Sequence, residues 1–309
     1  MNNARVYWLS GVIGAAAAVV VLLISSWVTS SKPGKEENEA YIKHVNERYR
    51  IFSLPLPEKA DFCGELAPLE QWDVAEKFDR EMLVNTYWHS NTLLSIKRAY
   101  RWFPVIEPIL KEQGIPDDFK YLALIESGFI NATSPSGAVG FWQFLPETAT
   151  QYGLEVNDEV DERYHVEKST RAACAYFKDA YARFGSWSLV AASYNMGMGG
   201  VQKQADRQGS KDYYQLLLNE ETARYVFRIL AIKELMNNAD KYGFVVRPAD
   251  LYTPLNSKTI TLSQGVEDFA AYAQQNGINY KTLKLYNPWL RQSYLKNKSN
   301  KIYEIKIPA

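Results

Sequence analysis

From about residue 80 to residue 240 the apolar residues recur at helical spacing, interrupted by glycine, proline and short polar turns, which confines this stretch to an all-helical domain. In "NTLLSIKRAYRWFPVIEPILKEQG", Leu93, Ile96, Tyr100, Phe103 and Ile106 keep that spacing, and Gly114 with Pro116 separates the helix from the next. The next helix opens at "PDDF", where proline suits a first turn and the acids meet the positive end of the dipole, and it closes at Gly128. "SPSGAVGFWQFLPETATQYGL" reads as a glycine-containing turn, a short aromatic segment and a brief helix from Pro146 that stops at Gly153. "STRAACAYFKDAYARFG" is amphipathic, with Ser169 or Thr170 at the cap, Ala173, Phe177, Tyr181 and Phe184 on one stripe, and Gly185 at the stop. "SLVAASYNM" and "ETARYVFRILAIKELMNN" follow as further helices.

The two ends have a different texture. "KTITL" and "YEIKIP" have strand character and enclose two short helical stretches, "VEDFAAYAQQNG" and "YKTLKLYNP", so residues 256–309 are expected to form a small α+β module of βααβ order. At the other end "WLSGVIGAAAAVVVLLISSWV", residues 8–28, is uncharged and long enough to cross a hydrocarbon core. It exceeds the usual apolar core of a cleaved signal peptide, so residues 1–31 are expected to be a transmembrane anchor, with cleavage near "VTSS" as the alternative. Arg5 precedes the run and Lys32 and Lys35 follow it, so flanking charge does not set the orientation. With the amino terminus inside, the body lies outside the cytoplasm, in the cell envelope. Residues 32–80, polar and proline-containing, read as a linker or an arm packed on the body, and 81–245 as the helical domain.

The chain of 309 residues is 47% hydrophobic, ample for one sizeable core and a smaller module. Thirty-five basic residues balance thirty-five acidic ones, which excludes the electrostatic footprint of a nucleic-acid binder. Eight Trp and twenty-one Tyr point instead towards carbohydrate, since aromatic faces stack on sugar rings, although most of them are expected in the core. His44, His89 and His165 are scattered, and no zinc spacing of the CxxC or HExxH kind and no GxSxG occurs, so neither metal nor serine-triad chemistry has a motif. Cys63 and Cys174 are compatible with a disulfide in an oxidising compartment, and Cys174, on the apolar side of its helix, equally with a core position.

One carboxylate stands out. In "YLALIESGF" Glu126 shares a helical face with Leu122 and Phe129. A carboxylate on such a face is either paired or held protonated, and burial raises its pKa towards the range that suits a general acid. From this stretch alone, a structural Glu that pairs with a Lys or Arg, or reaches solvent at the helix end, is an equal alternative. Glu147, Glu155, Asp158, Glu159, Asp161 and Glu162 all lie in charge-rich sequence that reads as solvated, and "NDEVDER" lacks the order of a calcium loop. A single acid without an evident second points to chemistry in which the substrate supplies its own nucleophile.

"ALIESGF", "SGAVGFWQFLPETA", "AASYNMGMGGV" and "ETARYV" occur in the order and spacing of the soluble lytic transglycosylase family, and the chain resembles most its membrane-bound type D members with carboxy-terminal LysM modules. The resemblance spans roughly residues 83 to 240. It implies a lysozyme-like helical fold, no cofactor, and cleavage of the MurNAc to GlcNAc β-1,4 bond of peptidoglycan, with the sugar's own 6-hydroxyl closing a 1,6-anhydro end. It assigns Glu126 as the single catalytic acid/base, Ser127 to holding the carboxyl or the peptide side of the substrate, and Gln143 to hydrogen-bonding the sugar. Tyr194 and Asn195 match the family's Tyr-Asn pair, and Tyr225 its late tyrosine near the acid. Phe141 and Trp142 stand where Leu-Met is common and are expected to alter the sugar-facing wall, with Trp142 equally suited to the core. Ser193 and Met196 replace common alanines.

The tail resembles a LysM module, a binder of GlcNAc chains, in a degenerate form: "LYNP" matches its Asn-Pro, "GVED" replaces Gly-Asp-Thr-Leu, and "SYLKNKSNK" lengthens the last loop. Such a module either binds glycan or docks on the body. The implied partners are peptidoglycan strands, a membrane through the N-terminal helix and a cell-wall enzyme complex. A same-fold muramidase and a catalytically silent binding protein remain as alternatives.

Overall fold

The computed structural model describes residues 53–309 and a few positions between 35 and 51. The expected anchor at 1–31 lies outside the described residues, and among those described no helix is long and apolar enough to cross a membrane. Residues 53–246 and 251–309 form one compact unit; 247–250 group with the N-terminal segment.

The part of the arm that is described packs closely. A two-residue hairpin, β1 (Asp61–Phe62) and β2 (Glu65–Leu66), inserts Phe62 against Phe119, with ring centroids 5.1 Å apart. Helix α1 (Trp72–Tyr87) begins within the stretch read as an arm and buries Val74, Phe78 and Met82. It is followed by α2 (His89–Glu112), α3 (Phe119–Ser127), α4 (Pro146–Gln151), α5 (Val166–Phe184), α6 (Trp187–Met196), α7 (Met198–Gln208) and α8 (Glu220–Asn237).

Short and apolar, α3 runs through the middle of this bundle with Phe119, Leu122 and Ala123 fully buried. Phe119 meets Phe177 of α5 at 4.2 Å and Trp187 of α6 at 5.4 Å, and Phe177 meets Trp142 at 5.8 Å. Each such ring stabilises the fold by roughly 1.5–3 kcal/mol through the area it removes from water. The helix stops at Gly128, whose φ of 57° is left-handed, so its last turn, with Glu126, ends at the edge of the core.

Two local readings are corrected. The cap of α5 is His165, whose ring nitrogen accepts from the Lys168 amide, whereas Ser169 and Thr170 lie buried inside the helix with their hydroxyls returned to the carbonyls of His165 and Val166. Cys63 and Cys174 are free thiols; burial pushes Cys63 far up and Cys174 to about 12, which leaves both inert.

The tail forms the antiparallel pair β3 (Ser257–Leu262) and β4 (Tyr303–Pro308), with α9 (Phe269–Gln275) and α10 (Tyr280–Tyr286) between them. The Asn of "LYNP", Asn287, is fully buried; its amide donates to the Leu283 and Lys306 carbonyls and accepts from the Lys306 amide, which pins α10 to β4. This module docks on the helical body. Trp289 stacks between Tyr303 and His165, the Arg291 guanidinium lies 4.1 Å over the Tyr164 ring, and Leu290 bridges to Val160. The acid-rich "NDEVDER" segment, expected to be solvated, is the seat of that interface: Asp161, Glu162 and Arg163 are each at most 7% exposed. Burial is tolerated because every charge is paired, Asp161 with Arg163 in a bidentate pair and Glu162 with Lys168.

Candidate active site

A cleft of about 610 Å³ lies at the C-terminal turn of α3 and is lined by residues of α1, α2 and α8. Glu126 opens into it from α3, while Leu122 is buried in the core and Phe129, expected on the same helical face, lies beyond the helix end at φ 53° and is buried as well. Burial raises the Glu126 carboxyl above its ordinary value. The Tyr225 hydroxyl, which donates to Glu126 Oε1, and the charge of Arg228 act against that rise, and Glu221 adds to it. Tyr225 is fully buried on α8, and burial together with Glu126 pushes its phenol well above the usual range. It therefore stays protonated and acts as a fixed donor to the acid.

Gln143 enters the cleft from a left-handed residue, φ 48°, in the loop between α3 and α4. Its Nε2 donates to the Ala132 carbonyl at 3.2 Å and the Gly140 carbonyl at 2.8 Å, which leaves Oε1 as the side chain's acceptor. A left-handed glutamine costs backbone energy and persists only where its surroundings over-determine it. Three side chains do so here. Ser127 Oγ donates to the Phe141 carbonyl at 2.9 Å, Tyr194 Oη to that of Trp142 at 2.7 Å, and Arg163 to those of Phe144 and Gly137 at 3.1 Å. Gly140 completes the turn at φ 80°, where an added Cβ would stand 2.1 Å from the Arg163 carbonyl oxygen.

The structure thus brings together Glu126, Ser127, Gln143 and Tyr225, and separates the other expected residues from the cleft. Tyr194 holds the Gln143 turn from behind. Asn195 donates to Glu221 at 2.9 Å and accepts from Thr222 at 2.7 Å, linking α6 to the first turn of α8. The expected sugar-facing wall of Phe141 and Trp142 is corrected: both are core residues, and the Trp142 indole donates to Thr170 Oγ1 at 2.9 Å instead of presenting a face to the cleft. Rings this large are buried because the loop closes over α3 and α5, where Phe141 meets Phe129 and Trp142 meets Phe177.

The cleft also contains groups that the sequence reading did not select. Asn91, Ser95 and Arg98 line it from α2, at spacing i, i+4, i+7, and Glu221 and Arg228 line it from α8, on the same face as the expected Tyr225. A polar stripe on an otherwise apolar helix was the available signal. Glu81 of α1 lies in the wall at 1% exposure and is ion-paired with Arg80 at 3.0 Å and Arg224 at 2.7 Å.

A carboxyl raised by burial, with a fixed phenolic donor, facing a cleft beside a glutamine turn, is suited to acid/base chemistry. The family comparisons agree: the transglycosylase SLT domain matches residues 103–217, and the soluble lytic transglycosylase C-terminal LysM-like domain matches residues 258–309. The chain thus carries both domain types of the soluble lytic transglycosylases. It is similar to membrane-bound lytic murein transglycosylase D of Escherichia coli (strain K12), 32% identical over 228 residues that make up 72% of this chain and 49% of that protein. It is also similar to a putative tributyltin chloride resistance protein of Alteromonas sp. (strain M-1), 31% identical over 112 residues, 36% of this chain and 54% of that one. The chain spans about half the length of these curated relatives. Among solved structures, the 70 kDa soluble lytic transglycosylase of Escherichia coli aligns with a TM-score of 0.40 at 16% identity, over 79% of this chain and 46% of that one.

Proposed function

We propose that this protein cleaves the MurNAc to GlcNAc β-1,4 bond of peptidoglycan strands and leaves a 1,6-anhydro end, in remodelling of the cell wall. The observation that carries the reading is Glu126, an acid raised by burial and oriented by Tyr225 in the cleft. Its proton goes to the glycosidic oxygen as the C1–O bond breaks. The resulting carboxylate takes the proton of the 6-hydroxyl as that oxygen closes on C1, so the acid is restored within one cycle. Gln143 Oε1 holds a sugar hydroxyl during both steps.

The other cleft carboxylates support the single-acid scheme. Glu81 is committed to Arg80 and Arg224, and Glu221 holds Asn195, so neither is poised as a nucleophile or as a base for water. Residues 1–31 act as the anchor that holds the domain in the cell envelope, a reading supported by the membrane-bound relative. In this scheme the C-terminal module serves mainly as a docked support.

Digestion of purified sacculi by the full chain in detergent, followed by mass analysis of the released muropeptides, tests the reading. Products one water lighter than reducing forms are expected. Reducing ends would make the protein a hydrolase, and intact sacculi carrying bound protein would make it a binder.

A further inference from the structure

Two arginines reach the cleft without a carboxylate partner. Arg228 gives Nη2 to the Ile125 carbonyl at 2.9 Å, and Arg98 gives Nη1 to the Gly128 carbonyl at 3.2 Å. Among the described residues neither is in an ion pair, whereas the third cleft arginine, Arg224, is paired with Glu81. Both line the cleft, one from α2 and one from α8, and the carbonyls they hold lie on either side of Glu126 in the chain.

A capping role accounts for part of this. Cations at a helix C-terminus satisfy its last carbonyls and complement the dipole. It leaves most of each fork unexplained, because a guanidinium has five N–H donors and each of these gives one to the backbone. Two unpaired guanidinium forks in one partly covered cleft match a carboxylate better than a neutral sugar hydroxyl. The acids facing them do not cancel the charge. Glu81 is paired with Arg80 and Arg224, burial favours the neutral form of Glu126, and Glu221, two turns before Arg228 on α8, is engaged by Asn195.

Resting on the transglycosylase reading above, we propose that Arg98 and Arg228 form a clamp for a carboxylate carried by the glycan strand next to the bond being cleaved. The substrate class is thereby narrowed to acidic, muramyl-type glycan, and neutral GlcNAc polymer is disfavoured. Two groups on such a strand carry that chemistry: the lactyl substituent of the sugar when it is free, and the stem peptide when it is attached. Binding also acts on the acid, because an anion that neutralises Arg228 removes a charge that favours the Glu126 carboxylate. Occupancy of the clamp therefore offsets the pull of Arg228 towards the ionised acid.

The test compares the wild type with Arg98→Gln and Arg228→Gln on stem-bearing glycan chains, on chains stripped of stems so that only lactyl carboxylates remain, and on neutral chitin oligomers. Dissociation constants are measured in the Glu126→Gln background and steady-state kinetics in the active enzyme. The expected result is a rise of about tenfold in KM and Kd for carboxylate-bearing chains, steep in salt, with the chitin Kd changed by less than about twofold. A loss confined to stem-bearing chains assigns the carboxylate to the peptide, a loss confined to stripped chains assigns it to the free lactyl group, and a loss on both shows that the clamp takes either. Equal losses on acidic and neutral ligands, or no loss on either, would overturn the clamp and return both arginines to capping. Arg98→Gln suffices if Arg228→Gln does not fold, since Arg98 makes the longer carbonyl bond. Should the wild type release no anhydro products, the cleavage reading fails, while the three dissociation constants still decide the clamp.

Discussion

Tyr225 donates a hydrogen bond to Glu126 across ninety-nine residues of chain, so the cleft carboxyl is oriented by a side chain that no local sequence window contains. Burial raises the carboxyl and this bond opposes the rise. Tyr225→Phe removes the opposing influence, and the alkaline limb of the pH–rate profile is expected to move upward. At its optimum kcat should fall about tenfold, because the carboxyl loses its orienting donor. A limb that moves downward would contradict the assigned hydrogen-bond role.

Glu126→Gln is expected to abolish cleavage and retain binding to sacculi. It should also alter the pH dependence of stability in a defined direction. The folded protein holds the Glu126 proton above the ordinary value of 4.5, so between that value and the raised one it binds more protons than the unfolded chain, and stability falls as pH rises. Below pH 4.5 the wild type and the variant should melt alike, and above it the variant should melt higher. Thermal unfolding followed from pH 4 to 8 measures the difference.

Gly140→Ala is expected to destabilise the protein by several kcal/mol, on the order of 3 or more, because the added carbon meets a backbone oxygen and a residue with φ 80° cannot accept it without strain. Activity should fall further than the folded fraction alone accounts for, since the Gln143 turn hangs from the same residues. Denaturant unfolding together with kinetics on the folded fraction separates the two effects.

Glu167, in the first turn of α5, pairs with Lys306 of β4 and with His165 at 3.2 Å. Burial works to raise its carboxyl, and the hydrogen bonds from His165 and Lys306 outweigh it and hold the group at about 2. A depressed folded value contributes stability that is present above the ordinary 4.5 and lost as pH falls towards about 2. The docked module should therefore loosen in that window, and Lys306→Met should flatten the acid limb of the melting curve. Hydrogen exchange at β3 and β4 between pH 5 and pH 3 reports it locally.

The sequence by itself was sufficient for whatever depends on local periodicity and short-range punctuation. The helical stretch, the stop of α3 at Gly128, the βααβ tail and Glu126 on an apolar face were all legible, because helix spacing and a misplaced carboxylate are properties of ten or twenty consecutive residues. Tertiary structure decided what those residues touch. Trp142 and Phe141 turned inward because the loop that carries them folds over α3 and α5, and the side-chain pattern of a loop does not announce which face is covered. "NDEVDER" read as solvated because its charges are visible in sequence and the chain that covers it, at Leu290, Arg291 and Lys296, is not adjacent to it. Arg98 and Arg228 passed unnoticed for the same reason: an arginine on an amphipathic helix looks like surface until two helices far apart in the chain place both beside one carboxyl. Chemistry that a single residue displays is local, whereas a cleft is made by long-range contacts that one sequence does not encode in any short window.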